Sequence, residues 1–424
     1  MVHGISNTTG TACHLNAALL IICHCLVPIR KAVVQYSQTT AATAWFQHFG
    51  AFLSSLSDAD NDDGSAVDPT KFYQALKTEI GIEAHELGDA VTALVKLLQN
   101  VRQGVPAMQP LMQATIDAGR VHSVITGLHQ EAEKKDVLKR SKETKIRPMA
   151  CPFSLSGKVD SVETALQAAQ LPQSLQGYTW TGTYIEHRLP PNSSPSDTYA
   201  DGEWRNRKNL CIDAIPNMWL LHLQRFDSTS QGQRSSLHNQ AHVPAILQVA
   251  EMLHNTECDR TYELMGGVAH VSDHAELDEE DGHYVAIVRR DDAWFLVDDA
   301  KVSELSQETA LQLLSGSNHT GISEGSYMQG VLLVYSRDDT ANSIDTILSD
   351  FVAEFAGSYI DWKRPGDLVG RRLRVKWTKG KFYPGLIAGY NQETGKHQVR
   401  YNDGDVREYR LQQKTIEWQQ DTTP

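Results

Sequence analysis

Apolar residues recur at helical spacing directly after position 13. Leu15, Ala18, Leu19, Ile22 and Leu26 fall on one face, which predicts a helix with Cys13 at its start. Far downstream, the unbroken run Tyr284 to Val288 predicts a buried strand. Asp291-Asp292 supply a turn, and Trp294 to Val297 form the returning strand. Helical spacing returns at Ile344, Ile347, Leu348, Phe351, Val352 and Phe355, inside a linker spanning residues 338–365. Beyond 366 the period falls to two. Leu373, Val375 and Trp377 alternate, Thr378 to Lys381 turn, and Phe382 to Tyr390 form a second strand. Asn391 to Gly395 turn again, His397, Val399 and Tyr401 form a third strand, and Asn402-Asp403-Gly404-Asp405 signals a hairpin. Short strands at this regular spacing predict a small β-barrel.

Three polar stretches read as loops: residues 57–67, the Pro/Ser-rich 190–201, and the acidic 273–281, a candidate lid directly before His283. Asp58, Asp60 and Asp62 with Gly64 have the opening spacing of a calcium loop. The place of its bidentate Glu is taken by Pro69, so the stretch reads as solvated.

Composition narrows the class. A hydrophobic fraction of 41% suits a globular core. Six cysteines in no paired spacing point to a reducing compartment, cytoplasm or nucleus, rather than a disulfide scaffold. No run of 18 or more apolar residues predicts a membrane span. The net charge of -13 is uneven: residues 371–418 carry +6, leaving -19 for the remainder. Basic residues on the C-terminal segment allow phosphate contact, but nucleic acid is not the expected partner.

The chemistry rests on residues from opposite ends of the first 300 positions. A thiol at a helix N-terminus meets the positive end of the helix dipole, which favours the reactive thiolate. Taken alone, Cys13 reads as a small core residue, as Cys23 and Cys25 do. His283 opens the apolar strand, and the hairpin carries Asp298 back beside it. A base and its orienting carboxylate need that arrangement. In isolation, His283 would read as a solvated loop residue.

The combination is more specific. Gly10-Thr11-Ala12-Cys13-His14-Leu15-Asn16, then Gly282-His283-Tyr284 with an aromatic strand and Asp298-Asp299, resembles the ubiquitin-specific proteases. Three further segments agree: Ile215 to Phe226, Tyr262 to His270, and Tyr327 to Tyr335. Pro152 to Leu155 with Val162 to Leu166 resembles the lead into the family's fingers. The resemblance implies an α+β, papain-like thumb-palm-fingers fold over residues 1–338. It implies Cys13 as nucleophile, His283 as base and Asp298 as orienting residue, cleaving after the C-terminal glycine of ubiquitin through an acyl-enzyme. Ubiquitin or ubiquitinated proteins are then the partners. The alternatives are a weakly active or inactive ubiquitin-binding scaffold, or a protease of a ubiquitin-like modifier.

The chain departs from the pattern in places. The family's oxyanion Asn stands five residues before the Cys; that position is Thr8, with Asn7 one residue earlier. Either Asn7 donates, or Thr8 and the Cys13 backbone N–H do. The aromatic after the nucleophile is His14, read as a packing replacement. Asp89-Ala90 match the family's acidic helix, which borders the channel for the ubiquitin tail, although simple helix solvation explains Asp89 equally well. The fingers' paired Cys-x-x-Cys motifs are missing, so no zinc and no cofactor is expected.

Residues 366–424 resemble a Tudor-like, SH3-like barrel, preceded by the helical linker 339–365. That resemblance implies an aromatic cage of Trp377, Tyr383 and Tyr401, walled by Asp403, for methylated Lys or Arg peptides. The same rings read alternatively as barrel core; Trp418 and Phe382 are assigned to the core.

Overall fold

The computed structural model describes residues 2–7, 10–57, 65–83, 88–129, 139–143, 146–155, 160–171, 173–174, 204–228, 234–236, 240–249, 260–272, 282–319, 326–337, 341–354, 364–377 and 381–418. Thr8, Asp58, Asp60, Asp62, Asp63, Cys258 and the loops 190–201 and 273–281 lie outside that set. The chain divides into two compact units, each built from separated segments.

The first unit comprises residues 1–112, 283–310 and 341–424. Its helix Cys13–Leu20 widens into a π-helical turn, Ile21–Cys25. The expected single apolar face is corrected here: every residue from His14 to Leu26 is buried. The helix packs between the Ala90–Gly104 helix and the His283–Arg290 strand, so it has no solvent side to make polar. No single described helix is long and apolar enough to cross a bilayer. Cys13–Cys25 and Val27–Ser37 together have the composition but meet at 96°.

An aromatic cluster anchors the neighbouring helices. Val27–Ser37 packs on Ala44–Ser57, which presents Trp45, Phe46, Phe49 and Phe52 to the core. Phe72, on the Thr70–Ala75 helix, stacks on Phe49 at 5.2 Å and on Phe52 at 5.3 Å. Burying one such ring contributes about 1.5–3 kcal/mol, enough to fix the rotation of a short helix.

The strands His283–Arg290, Ala293–Asp298 and Lys301–Leu305 form an antiparallel meander. Arg290 pairs with Ala293 across the expected Asp291-Asp292 turn, where Asp291 takes φ 55°, a left-handed position that Asp tolerates better than most residues.

Residues 341–424, expected as linker and separate domain, fall in this same unit. The linker helix is present as Ala341–Glu354 and packs on Val27–Ser37. The C-terminal segment forms a five-stranded antiparallel sheet. Its spatial order is Val406–Tyr409, Lys396–Tyr401, Phe382–Asn391, Arg372–Lys376, Ile416–Trp418. Its core is Leu368, Leu373, Val375, Ile387, Val399, Tyr401, Leu411, Ile416 and Trp418. Among the described residues the pairings run as an open path from Val406–Tyr409 to Ile416–Trp418, and no described pairing joins its two ends into the expected barrel. Phe382, assigned to the core, is only half-buried. The Arg374 guanidinium and the Lys376 ammonium lie 5.4 and 5.5 Å from its ring.

The second unit comprises residues 113–282 and 311–340. Thr261–Ser272 pairs antiparallel with Ser326–Ser336, which pairs with Met218–Leu223; Phe153–Leu155 adds in parallel. These are the apolar segments picked out in the sequence. Trp204–Ala214, Arg120–His129 and Lys139–Glu143 form a separate antiparallel sheet.

Candidate active site

Cys13 is the first residue of its helix, so the thiol stands at the helix N-terminus. The meander ends at Asp298, whose Oδ1 lies 2.6 Å from His283 Nε2. Because Nε2 faces the carboxylate, Nδ1 is the nitrogen left to meet the thiol. Burial alone would raise the Cys13 pKa. Hydrogen bonds with His14 and His283, the Tyr284 backbone N–H and the His283 charge outweigh it, bringing the thiol to about 6.

Burial likewise acts to lower the His283 pKa. Hydrogen bonds to Asp298 and Cys13, and their charges, overcome it and push the imidazole up to about 10. The hydrogen bond from His283 holds the Asp298 carboxyl below its usual range, against an opposing effect of burial. At neutral pH the pair is thiolate and imidazolium.

Cys23 and Cys25 show what the same residue does without those partners. Burial pushes Cys23 up to about 11, even though Arg30 opposes it, and raises Cys25 further. Both are core, as expected. His14, read as a packing replacement, is buried but also bonds the Cys13 thiol; sequence spacing carried no sign of that contact.

Asp299 is the residue that sequence reasoning missed. Its carboxylate accepts from Asn7 Nδ2 at 2.8 Å and from Asn16 Nδ2 at 2.6 Å. Its carbonyl accepts from the Ile5 N–H at 2.8 Å, and its φ of 48° is left-handed. Gly4 permits this crossing, since a Cβ there would overlap the Asp299 carbonyl. Asn7 Oδ1 in turn accepts from the Ala12 N–H at 3.4 Å, which sets the Asn7 amide beside the residue preceding Cys13. The doubled Asp298-Asp299 was the available signal, but nothing local distinguished a carboxylate holding two distant amides from a turn residue.

His283, Asp298 and Asp299 also offer ligand atoms within 4.8 Å of one another, the grouping among the described residues with metal-like spacing. All three are engaged in the hydrogen bonds above, so we assign no metal there.

Asp89 caps the Ala90–Gly104 helix, accepting from the Thr92 N–H at 2.9 Å. A cap of this kind contributes about 0.5–2 kcal/mol, which accounts for an acidic residue there without a ligand.

The four expected cage residues are only partly brought together. Trp377 and Tyr383 have ring centroids 4.4 Å apart. Tyr401 meets Trp377 edge-on at 5.2 Å and belongs to the sheet's core. Its hydroxyl accepts from Trp377 Nε1 at 3.0 Å and donates to the Tyr409 hydroxyl at 2.9 Å. Asp403 accepts from the Asp405 N–H at 3.0 Å within its own turn. The Arg407 guanidinium lies 4.0 Å from the Trp377 ring centroid, tethered by Asp405 at 2.8 Å. The chain supplies its own cation to that face.

A family profile described as ubiquitin carboxyl-terminal hydrolase matches residues 3–335. The chain belongs to that family. It is 23% identical over 351 residues to ubiquitin carboxyl-terminal hydrolase 12 of Salmo salar, covering 78% of this chain and 88% of that protein. To ubiquitin carboxyl-terminal hydrolase 4 of Arabidopsis thaliana it is also 23% identical, over 349 residues, covering 77% and 91%. The solved structure of the SAGA Ubp8/Sgf11/Sus1/Sgf73 DUB module bound to ubiquitin aldehyde aligns with a TM-score of 0.54 at 16% identity. That alignment covers 80% of this chain and 70% of the other. A likeness at that identity establishes the mixed α/β papain-like fold. Ubiquitin carboxyl-terminal hydrolases of this type are cysteine deubiquitinases, and this chain is an enzyme of that class.

Proposed function

We propose that this enzyme cleaves the peptide or isopeptide bond after the C-terminal glycine of ubiquitin with Cys13 as nucleophile, His283 as base and acid, and Asp298 as orienting carboxylate. The observation that carries the reading is the Cys13–His283–Asp298 arrangement, with a thiol near 6 and an imidazole near 10. Thiolate attacks the scissile carbonyl, and the imidazolium donates its Nδ1 proton to the leaving amine. An acyl-enzyme thioester remains. His283, now neutral, takes a proton from water, whose oxygen attacks the thioester and releases ubiquitin with a free carboxylate.

Of the two oxyanion candidates, we favour Asn7, because Asp299 orients its amide beside residue 12. The Cys13 backbone N–H at the helix N-terminus is the second donor in this scheme. The C-terminal sheet is proposed as a recognition module for a cationic or methylated peptide, with Arg407 as an internal competitor. Free cysteines at all five described positions suit the intracellular setting we propose.

A panel of C-terminal activity probes, ubiquitin beside ubiquitin-like modifiers, tests the reading. We expect covalent labelling by the ubiquitin probe that is lost in Cys13→Ala. Absence of labelling in folded protein would favour the scaffold alternative, and labelling by another modifier alone would reassign the substrate.

A further inference from the structure

Tyr73 has no role in the mechanism so far. It follows Phe72, whose ring is locked against Phe49 and Phe52. One residue further is about 100° around a helix. Tyr73 therefore turns away from Phe49 and Phe52 while its ring stays 6.0 Å from that of Phe72, and its hydroxyl reaches Asn16 Oδ1. The direction of each bond follows from the groups. A carboxylate only accepts, so Asn16 turns its NH2 to Asp299, at 2.6 Å. Its carbonyl oxygen, which only accepts, is what remains for Tyr73, so the phenol donates. The other Asp299 oxygen takes the Asn7 amide at 2.8 Å. The result is one chain of bonds, Tyr73 to Asn16 to Asp299 to Asn7, ending beside the nucleophile loop. Burial, reinforced by the charges of Asp299 and Cys13, raises the Tyr73 pKa, so the donor stays protonated wherever the thiolate–imidazolium pair exists. At the other end of the same helical run, Glu79 meets Lys376 of the C-terminal sheet at 2.9 Å.

We propose that Tyr73 is a positioning residue for the oxyanion side of the active centre, orienting Asn16 and through it Asp299 and the Asn7 amide. The proposal rests on the reading of Asn7 as oxyanion donor. Without the phenol, Asn16 loses one of the two bonds that fix which way its amide faces. Reversal would set its carbonyl against the Asp299 carboxylate and release that carboxylate from Asn7.

The test is Tyr73→Phe, which keeps the ring, assayed on a ubiquitin C-terminal fluorogenic substrate. Active sites are first titrated with a ubiquitin probe, so that misfolded protein is not counted. Direct loss of one oxyanion donor costs about 10²–10³ in rate, so a loosened one should cost roughly tenfold in kcat, with KM little changed. The pH profile of Cys13 alkylation should not move, because the thiolate–imidazolium pair is untouched; a general structural defect would move it. In an Asn7→Ala background, Tyr73→Phe should add little, since both act at one point. A wild-type kcat in Tyr73→Phe, or losses that simply multiply in the double variant, would overturn the proposal. If Asn7→Ala alone left kcat unchanged, the oxyanion reading itself would fail. Any loss from Tyr73→Phe in that background would then belong to another route, which also overturns the proposal.

Discussion

Asp298 and Asp299 are adjacent in sequence, yet their carboxylates serve different groups: Asp298 lies 2.6 Å from His283 Nε2, and Asp299 holds Asn7 and Asn16. The left-handed backbone of Asp299 ends the strand alternation that would otherwise separate two neighbours onto opposite faces of a sheet. In the proposed mechanism one residue orients the base while the next organises the oxyanion side.

The two carboxylates should therefore fail differently. Asp298→Asn keeps an acceptor for the imidazole but removes the charge that stabilises imidazolium, so the loss should be mild and the alkylation profile of Cys13 should shift. Asp299→Asn leaves two amides competing for one carbonyl, so kcat should drop by about 10²-fold, the scale of a lost oxyanion donor, with that profile unchanged. Equal effects on both measurements would show that the division of labour is wrong.

Activity against pH should be bell-shaped. The thiolate forms as pH rises through about 6, and the imidazolium is lost as pH rises through about 10, so the reactive pair exists between them. The iodoacetamide alkylation rate of Cys13 should rise with a midpoint near 6 rather than the ordinary thiol value of about 8.5. A single rise near the ordinary value would mean that the ion pair does not form.

His14 should contribute to that low value. In His14→Phe the thiol loses one hydrogen-bond partner, so the alkylation midpoint should move upward while His283 and Asp298 stay in place. Turnover at pH 6 should fall more than turnover at pH 8. An unmoved midpoint would return His14 to a packing role.

On the C-terminal sheet, Arg407 occupies the face that a cationic ligand would need. Arg407→Ala should therefore bind trimethyl-lysine peptide more tightly than the parent protein does, and the gain should vanish when Trp377→Ala is added. Calorimetric titration of the full chain with methylated and unmodified peptides decides it. Equal binding of the two peptides by Arg407→Ala would exclude a cage here.

Much of the site was legible because its signals are local. A two-residue acidic turn between apolar strands fixes the register that returns Asp298 to His283, and a thiol before an apolar helical run lands at a helix N-terminus. Alternation likewise marked the first three C-terminal strands, since a period of two is a property of neighbouring residues. Periodicity also suggested a polar face for the nucleophile helix, which the structure lacks because two partners cover it.

What only the tertiary structure decided depends on contacts between segments far apart. Nothing near Tyr73 signals Asn16, and nothing near Asp299 signals Asn7, because each bond closes a loop whose length carries no pattern. The same holds for chemistry. Cys13, Cys23 and Cys25 are alike in sequence, and whether burial raises a thiol or hydrogen bonds lower it depends on which distant donors arrive. Trp377 and Tyr401 were legible as aromatic strand positions, but only packing placed one under Arg407 and the other in the core. Spacing along a chain sets which elements form and which way side chains alternate; pKa values and hydrogen-bond partners are set by what the fold brings within a few ångströms.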